Sequence, residues 1–262
     1  MNDQAAAPPL LRSTADQVAI LTLNRPRQYN ALSGALLTAL HIELDALARD
    51  RDVRTVLITG NGSAFCSGPD LKEMRSLRTR QEIEGLFLTC SELMKKLVQL
   101  PQPVIAVVNG MATAAGCQLV AQCDLAVAAS NARFAVSGIN LGLFCSTPAV
   151  ALTRNLGRKR SAEMLFTGEF IDAETALDWG LLNRVVAPDQ LMETAMELTR
   201  VLHSKPAEAL ALGKALFYRQ LEETISDAYV DASQTIAGNM DSDVAREGVD
   251  AFFDKRTPRW KA

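Results

Sequence analysis

Apolar residues fall into two regimes along the chain. In the first half, short apolar runs alternate with stretches where leucines recur at helical spacing. Residues 18–23 (VAILTL), 53–59 (VRTVLIT), 104–108 (VIAVV) and 125–128 read as strands, since a strand covered on both faces need not alternate with polar residues. Residues 33–50 place Leu36, Leu37, Leu40, Leu44 and Leu47 on one helical face. A helix over 81–100 is halted by Pro101 and Pro103, and a small-residue helix spans 113–123. Beyond about Leu143 the pattern predicts helix after helix, over 147–155, 161–165, 173–179, 190–202, 206–219, 221–240 and 242–253. Only 182–186 interrupts them as a strand. Residues 1–15, Ala/Pro-rich and polar, read as a frayed N-terminus. The whole predicts an α/β fold with covered sheets and a helical layer that buries its stripes on the core or on another subunit.

Composition narrows the function. A net charge of −3 is no footprint for nucleic acid, which needs a concentrated basic face. No apolar run is long enough to span a bilayer, and the start MNDQAAAPPLLRS has no secretory pattern. The five cysteines are odd in number and lack C-x-x-C spacing, which predicts reduced thiols, no metal site and a cytoplasmic location. His41 and His203 have no motif around them and read as solvated.

Two strand–turn–helix segments carry the candidate chemistry, residues 60–72 and 108–118. Gly-rich turns of this kind aim backbone N–H groups at a ligand, with a helix N-terminus behind them. Their residues also carry a resemblance. Leu23-Asn24-Arg25-Pro26 with Asn30-Ala31-Leu32, Phe65-Cys66-Ser67-Gly68 through Asp70-Leu71-Lys72, Pro103-Val104-Ile105-Ala106 through Asn109-Gly110 to Gly116-Cys117, and Cys123-Asp124 follow in order and spacing. With Glu247-Gly248 and Phe252 to Lys255-Arg256 at the end, the chain resembles the enoyl-CoA hydratase/isomerase (crotonase) family from about residue 18 to 256.

That resemblance implies a crotonase (ClpP-like) spiral of β-β-α turns over 16–200 and a C-terminal helical trimerisation region over 201–262, in a homotrimer or hexamer. It implies no permanently bound cofactor and a coenzyme A thioester as substrate or ligand, in fatty-acid or related acyl-CoA metabolism. The thioester carbonyl would sit between the N–H groups of residues 69 and 115, which stabilise an enolate. Coenzyme A would lie near Arg25, Arg27 and Tyr29 and along Ala64, Cys66, Gly68, Pro69, Asp70, Leu71 and Lys72. Gly116 would complete the turn, with Phe252 and Lys255 arriving from a neighbouring subunit.

The sequence departs from the family where chemistry is done. Hydratases of the family hold water between two glutamates, one taking a proton and one giving it. The matching positions here are Gln118 and Gly138. Residue 69 is Pro69, which has no N–H, so of the two oxyanion donors only Ala115 remains. Cys145 stands in the 141–147 turn as a candidate nucleophile with no neighbouring histidine. Three functions follow: a family enzyme with unusual chemistry, an inactive acyl-CoA-binding protein that sequesters or presents thioesters, or a thioester hydrolase or decarboxylase using non-standard groups.

Overall fold

The computed structural model describes residues 7–260. Among them the main sheet has the order β1-β2-β3-β5-β7-β10, formed by β1 (Leu10–Ala15), β2 (Val18–Leu23), β3 (Thr55–Gly60), β5 (Val104–Val108), β7 (Leu125–Ala129) and β10 (Arg184–Val186). Only β1 runs antiparallel; every other pairing is parallel. A second sheet has the order β4-β6-β8-β9, from β4 (Ala64–Cys66), β6 (Met111–Thr113), β8 (Arg133–Ala135) and β9 (Ile171–Asp172). The chain climbs in repeated turns, each leaving one strand in each sheet and then a helix.

The helices are α1 (Gly34–Leu47), α2 (Leu71–Ser76), α3 (Arg80–Gln99), α4 (Ala115–Gln122), α5 (Ser146–Asn155), α6 (Arg158–Thr167), α7 (Ala173–Trp179), α8 (Leu191–His203), α9 (Ala207–Gln220), α10 (Ile225–Met240) and α11 (Asp243–Phe253). Local chemistry fixes where they start. The Ser33 hydroxyl accepts the Leu36 N–H ahead of α1, and Thr79 with Glu82 forms a reciprocal cap on α3. The predicted α1 stripe is buried as read, and packs with α3, α4 and one face of the main sheet in a single core. The opposite face, with Val18, Leu57, Ile105 and Val127, is covered by Leu191 and Ala195 of α8.

The N-terminal expectation is corrected in part. Residues 1–6 lie outside the described residues, but Leu10–Ala15 is a paired edge strand against β2. Only Leu10 of β1 is buried, so its order comes from the backbone ladder and from Arg12, which donates to Glu43 and Asp50. His203 is also not a solvated residue; it is half-buried and bonds Thr55 Oγ1 at 3.1 Å.

A buried charge cluster docks the C-terminal helices. Lys214 Nζ donates to the carbonyl oxygens of Leu97 (2.8 Å) and Gln102 (2.9 Å) and to Asp124 Oδ2 (2.6 Å). Tyr218 donates its O–H to Asp124 Oδ1, and the Val104 N–H donates to Asp124 Oδ2. Beyond this anchor, α10 buries no residue and α11 only Ala251. Ile225, Tyr229 and Phe252 are each more than 70% exposed in the single chain.

Candidate functional site

Two turns meet at the β4–β6 edge of the second sheet. After β4 the chain passes through Ser67, Gly68 at φ +88° and Pro69, then enters α2 behind an Asp70 cap. After β6, Ala114 takes φ 49° and ψ −119°, and Ala115 opens α4. Thr113 Oγ1 donates to the Ser67 carbonyl at 2.9 Å and ties the turns together. Gly116 is forced by this packing, because a Cβ there would lie 2.1 Å from the Cys66 carbonyl oxygen. As the first residue of its helix, Ala115 has no intrahelical acceptor for its N–H. That N–H makes no hydrogen bond among the described residues.

Ala115 and Pro69 both line a cavity of about 920 Å³. One wall is α2 and α3, with Leu71, Met74, Leu77, Ile83, Leu86 and Phe87; the opposite wall is Ser137 and Gly138 with the 141–147 turn. The α3 residues were missed in the sequence, where an apolar stripe on a helix reads as core. Arg80 and Glu84, one helical turn apart on α3, are the only charged residues among the described lining.

Cys145 lines the cavity as well, and the structure explains the glycine opposite it. A Cβ on Gly138 would meet Cys145 Sγ and the Leu143 carbonyl oxygen, each at 2.7 Å. Burial pushes the Cys145 thiol up, and the Gly138 N–H beside it offsets only part of that. Cys90, also on the wall, is pushed up to about 11 by burial. Neither thiol is poised as a thiolate.

Gln118 is not brought to this site. It is 3% exposed, does not line the cavity, and its Oε1 is buried without a hydrogen-bond partner. The reason is that α4 meets the cavity only at Ala115 and is enclosed beyond it, with every residue from Gly116 to Ala121 buried.

The coenzyme-directed residues divide. Arg25 is occupied, donating to the Ala31 carbonyl and to Asp70 Oδ2 at 3.0 Å. Burial pushes the Asp70 carboxyl up, but Arg25 and the N–H groups of Glu73 and Lys72 outweigh it and leave it below the usual range. Ala64 and Cys66 are buried in β4, and Leu71 is on the cavity wall. Arg27, Tyr29 and Lys72 are exposed, and the Lys72 ammonium makes no ion pair among the described residues. Phe252 lines a separate apolar pocket of about 440 Å³ with Pro206 and Trp260, and Lys255 follows α11 at φ 54°. Within one chain, neither lines the main cavity. No group of three or more His, Cys, Asp or Glu side chains able to hold a metal occurs among the described residues. No described helix is long and apolar enough to cross a membrane.

The family model "Enoyl-CoA hydratase/isomerase" matches residues 13–262. The chain is 46% identical over 254 residues to enoyl-CoA hydratase domain-containing protein 3, mitochondrial, of Rattus norvegicus, covering 96% of this chain and 85% of that protein. The crystal structure of human enoyl-CoA hydratase domain-containing protein 3 is similar at TM-score 0.93 and 43% identity, over 96% of this chain and all of that one. An enoyl-CoA hydratase structure from Mycobacterium smegmatis is similar at TM-score 0.95 and 55% identity, over 97% and 99% of the two chains. The word mitochondrial in the names of such relatives overturns the cytoplasmic expectation. Unpaired cysteines indicate a reducing compartment, and that property does not distinguish one reducing compartment from another. Family model, relatives and fold agree: the chain belongs to the enoyl-CoA hydratase/isomerase family.

Proposed function

We propose that this chain binds acyl-CoA and enoyl-CoA thioesters in the 920 Å³ cavity and hydrates enoyl-CoA very slowly or not at all. The observation that carries this reading is the Gly138–Cys145 contact, where a thiol fills the space a second carboxylate would need. Gln118 supplies no base, because an amide does not take a proton near neutral pH. Pro69 offers no second oxyanion donor, a loss of about 2.7–4 kcal/mol of transition-state stabilisation in comparable sites. The ground-state affinity is spared, because it comes mostly from contacts remote from the reacting carbon.

In this reading the thioester oxygen accepts the free Ala115 N–H. Lys72 and Arg27 face the coenzyme phosphates, while Arg25 holds the Asp70 loop. Phe252 and Lys255 serve a neighbouring subunit of a homotrimer or hexamer, which would also cover the exposed α10–α11 face. The raised Cys145 thiol, which makes no hydrogen bond to a basic side chain among the described residues, favours sequestering or presenting a thioester over hydrolysing one. Titration calorimetry with acyl-CoAs, run beside a crotonyl-CoA hydration assay, tests the proposal. Binding heat without hydration supports it, and no heat with any thioester overturns it.

A further inference from the structure

The walls of the cavity carry information about the acyl group that the motifs do not. Its lining divides by exposure. Leu37 of α1 and Cys90 of α3, whose helices pack together, are 1% and 6% exposed and form a closed, apolar end, whereas Leu32, paired with Pro69, lies at the thioester end. Leu141, Leu143 and Phe144 are about half exposed and form the rim, where Arg80 and Glu84 also stand exposed. Charge is therefore confined to the open side, and the buried lining offers hydrocarbon and the protonated thiols of Cys90 and Cys145.

Volume sets the scale. A cavity of about 920 Å³, at roughly 30 Å³ per water-sized group, holds about thirty such groups. A pantetheine arm with its thioester takes roughly half, which leaves room for about ten to fourteen chain carbons. A short acyl group would leave the closed end empty, forfeiting its dispersion contacts. A chain ending in a carboxylate would bury that charge against Leu37 and Cys90 with no partner.

We propose that the acyl group taken by this site is a medium-to-long, uncharged hydrocarbon chain lying along α3 from Ala115 towards Cys90. The proposal rests on the thioester-binding reading given above. Each methylene entering the closed end should tighten binding roughly fourfold at full burial, which is about 0.8 kcal/mol per CH₂.

The test is calorimetry on the unaltered protein with saturated acyl-CoAs from four to sixteen carbons, one ω-carboxyacyl-CoA, and free coenzyme A. Affinity should climb with each added carbon to about ten or more, then level off, and the ω-carboxy ligand should bind worse than its uncharged counterpart. Two variants separate this cavity from any other apolar surface. Cys90→Trp fills the closed end, and Ile83→Asp places a charge on the exposed wall, where folding tolerates it. In either one the decanoyl-to-butyryl affinity ratio should fall about tenfold or more. A flat chain-length profile overturns the proposal and leaves thioester binding standing. A rising profile that neither variant alters also overturns it, because the chain then lies elsewhere. If no thioester of any length binds, the underlying reading falls too.

Discussion

The Cys145 thiol occupies the space into which a side chain at Gly138 would grow, with Sγ 2.7 Å from the position of the missing Cβ. The Leu143 carbonyl oxygen is equally close, so both a side chain and the backbone block this site. Substitution of Gly138 by Ala should destabilise the fold by about 1–3 kcal/mol through overpacking. Cys145→Ala should recover part of that loss, and urea unfolding of the two single variants and the double variant measures it. A neutral Gly138→Ala would contradict the packing described.

The same contact limits redesign. Introducing Gly138→Glu and Gln118→Glu together should not create hydration, because the first side chain has no room and the second position is not on the cavity wall. Adding Cys145→Gly and Pro69→Ala removes the thiol clash and returns an N–H, but it leaves the Leu143 carbonyl and the enclosed position of residue 118 in place, so this combination should stay inactive too. Crotonyl-CoA absorbance, followed for each combination, checks this; its loss in any of them would contradict the packing described.

Pro69→Ala alone should strengthen thioester polarisation without turnover. It returns an N–H at a position that lines the cavity with Ala115. A chromophoric unsaturated thioester bound to this variant should show a larger red shift than when bound to the parent chain. An identical spectrum would mean that residue 69 does not face the carbonyl.

How much of this was legible in the sequence depended on element length. Strands β2, β3 and β5 announced themselves as apolar runs of five or six residues and α1 by its leucine stripe, whereas β1, exposed beyond Leu10, read as a frayed terminus. The second sheet was not legible, because β4, β6, β8 and β9 are two or three residues long and exist only through pairing. The helix expected from Thr113 starts at Ala115, since Thr113 belongs to β6 and Ala114 turns the chain at positive φ. Of the site, the free Ala115 N–H, Pro69 and Gly138 were legible through the family pattern. The α3 wall was not, because sequence spacing does not distinguish a cavity lining from a core.

Ala114 should be the point where stability can be gained. A non-glycine residue at φ 49° and ψ −119° is strained by about 1–3 kcal/mol, against which glycine loses some unfolded-state entropy. Ala114→Gly should therefore raise stability by about 1 kcal/mol, readable as a higher melting temperature. A lower melting temperature would show that the strain is not released.

Lys214 should be far more sensitive than its place on a peripheral helix suggests. Its side chain is 7% exposed, and its removal leaves Asp124 short of its cation. Lys214→Ala should cost about 3–5 kcal/mol, the usual penalty for breaking a buried pair from one side. Chemical denaturation measures this, and hydrogen exchange should locate the loosening in α9.

The C-terminal tail carries a pH response. Hydrogen bonds from Arg256, then the Arg259 N–H, pull the Glu247 carboxyl from 4.5 down to about 2. A depressed carboxylate stabilises above its unfolded value, and that contribution fades as pH falls from 4.5 towards 2. Exchange at Arg259 and the fluorescence of Trp260, which donates to the Ser204 carbonyl, should report loosening across that window. Glu247→Gln should show the loosened state already at neutral pH.

This member of the family is proposed to keep the thioester site and to lack the proton relay. One sample of the unaltered protein, titrated with crotonyl-CoA while absorbance at the enoyl band is followed, tests it directly. Saturable binding is expected, with the enoyl band persisting over many times the period in which an ordinary hydratase would consume it. Rapid loss of the band would contradict it.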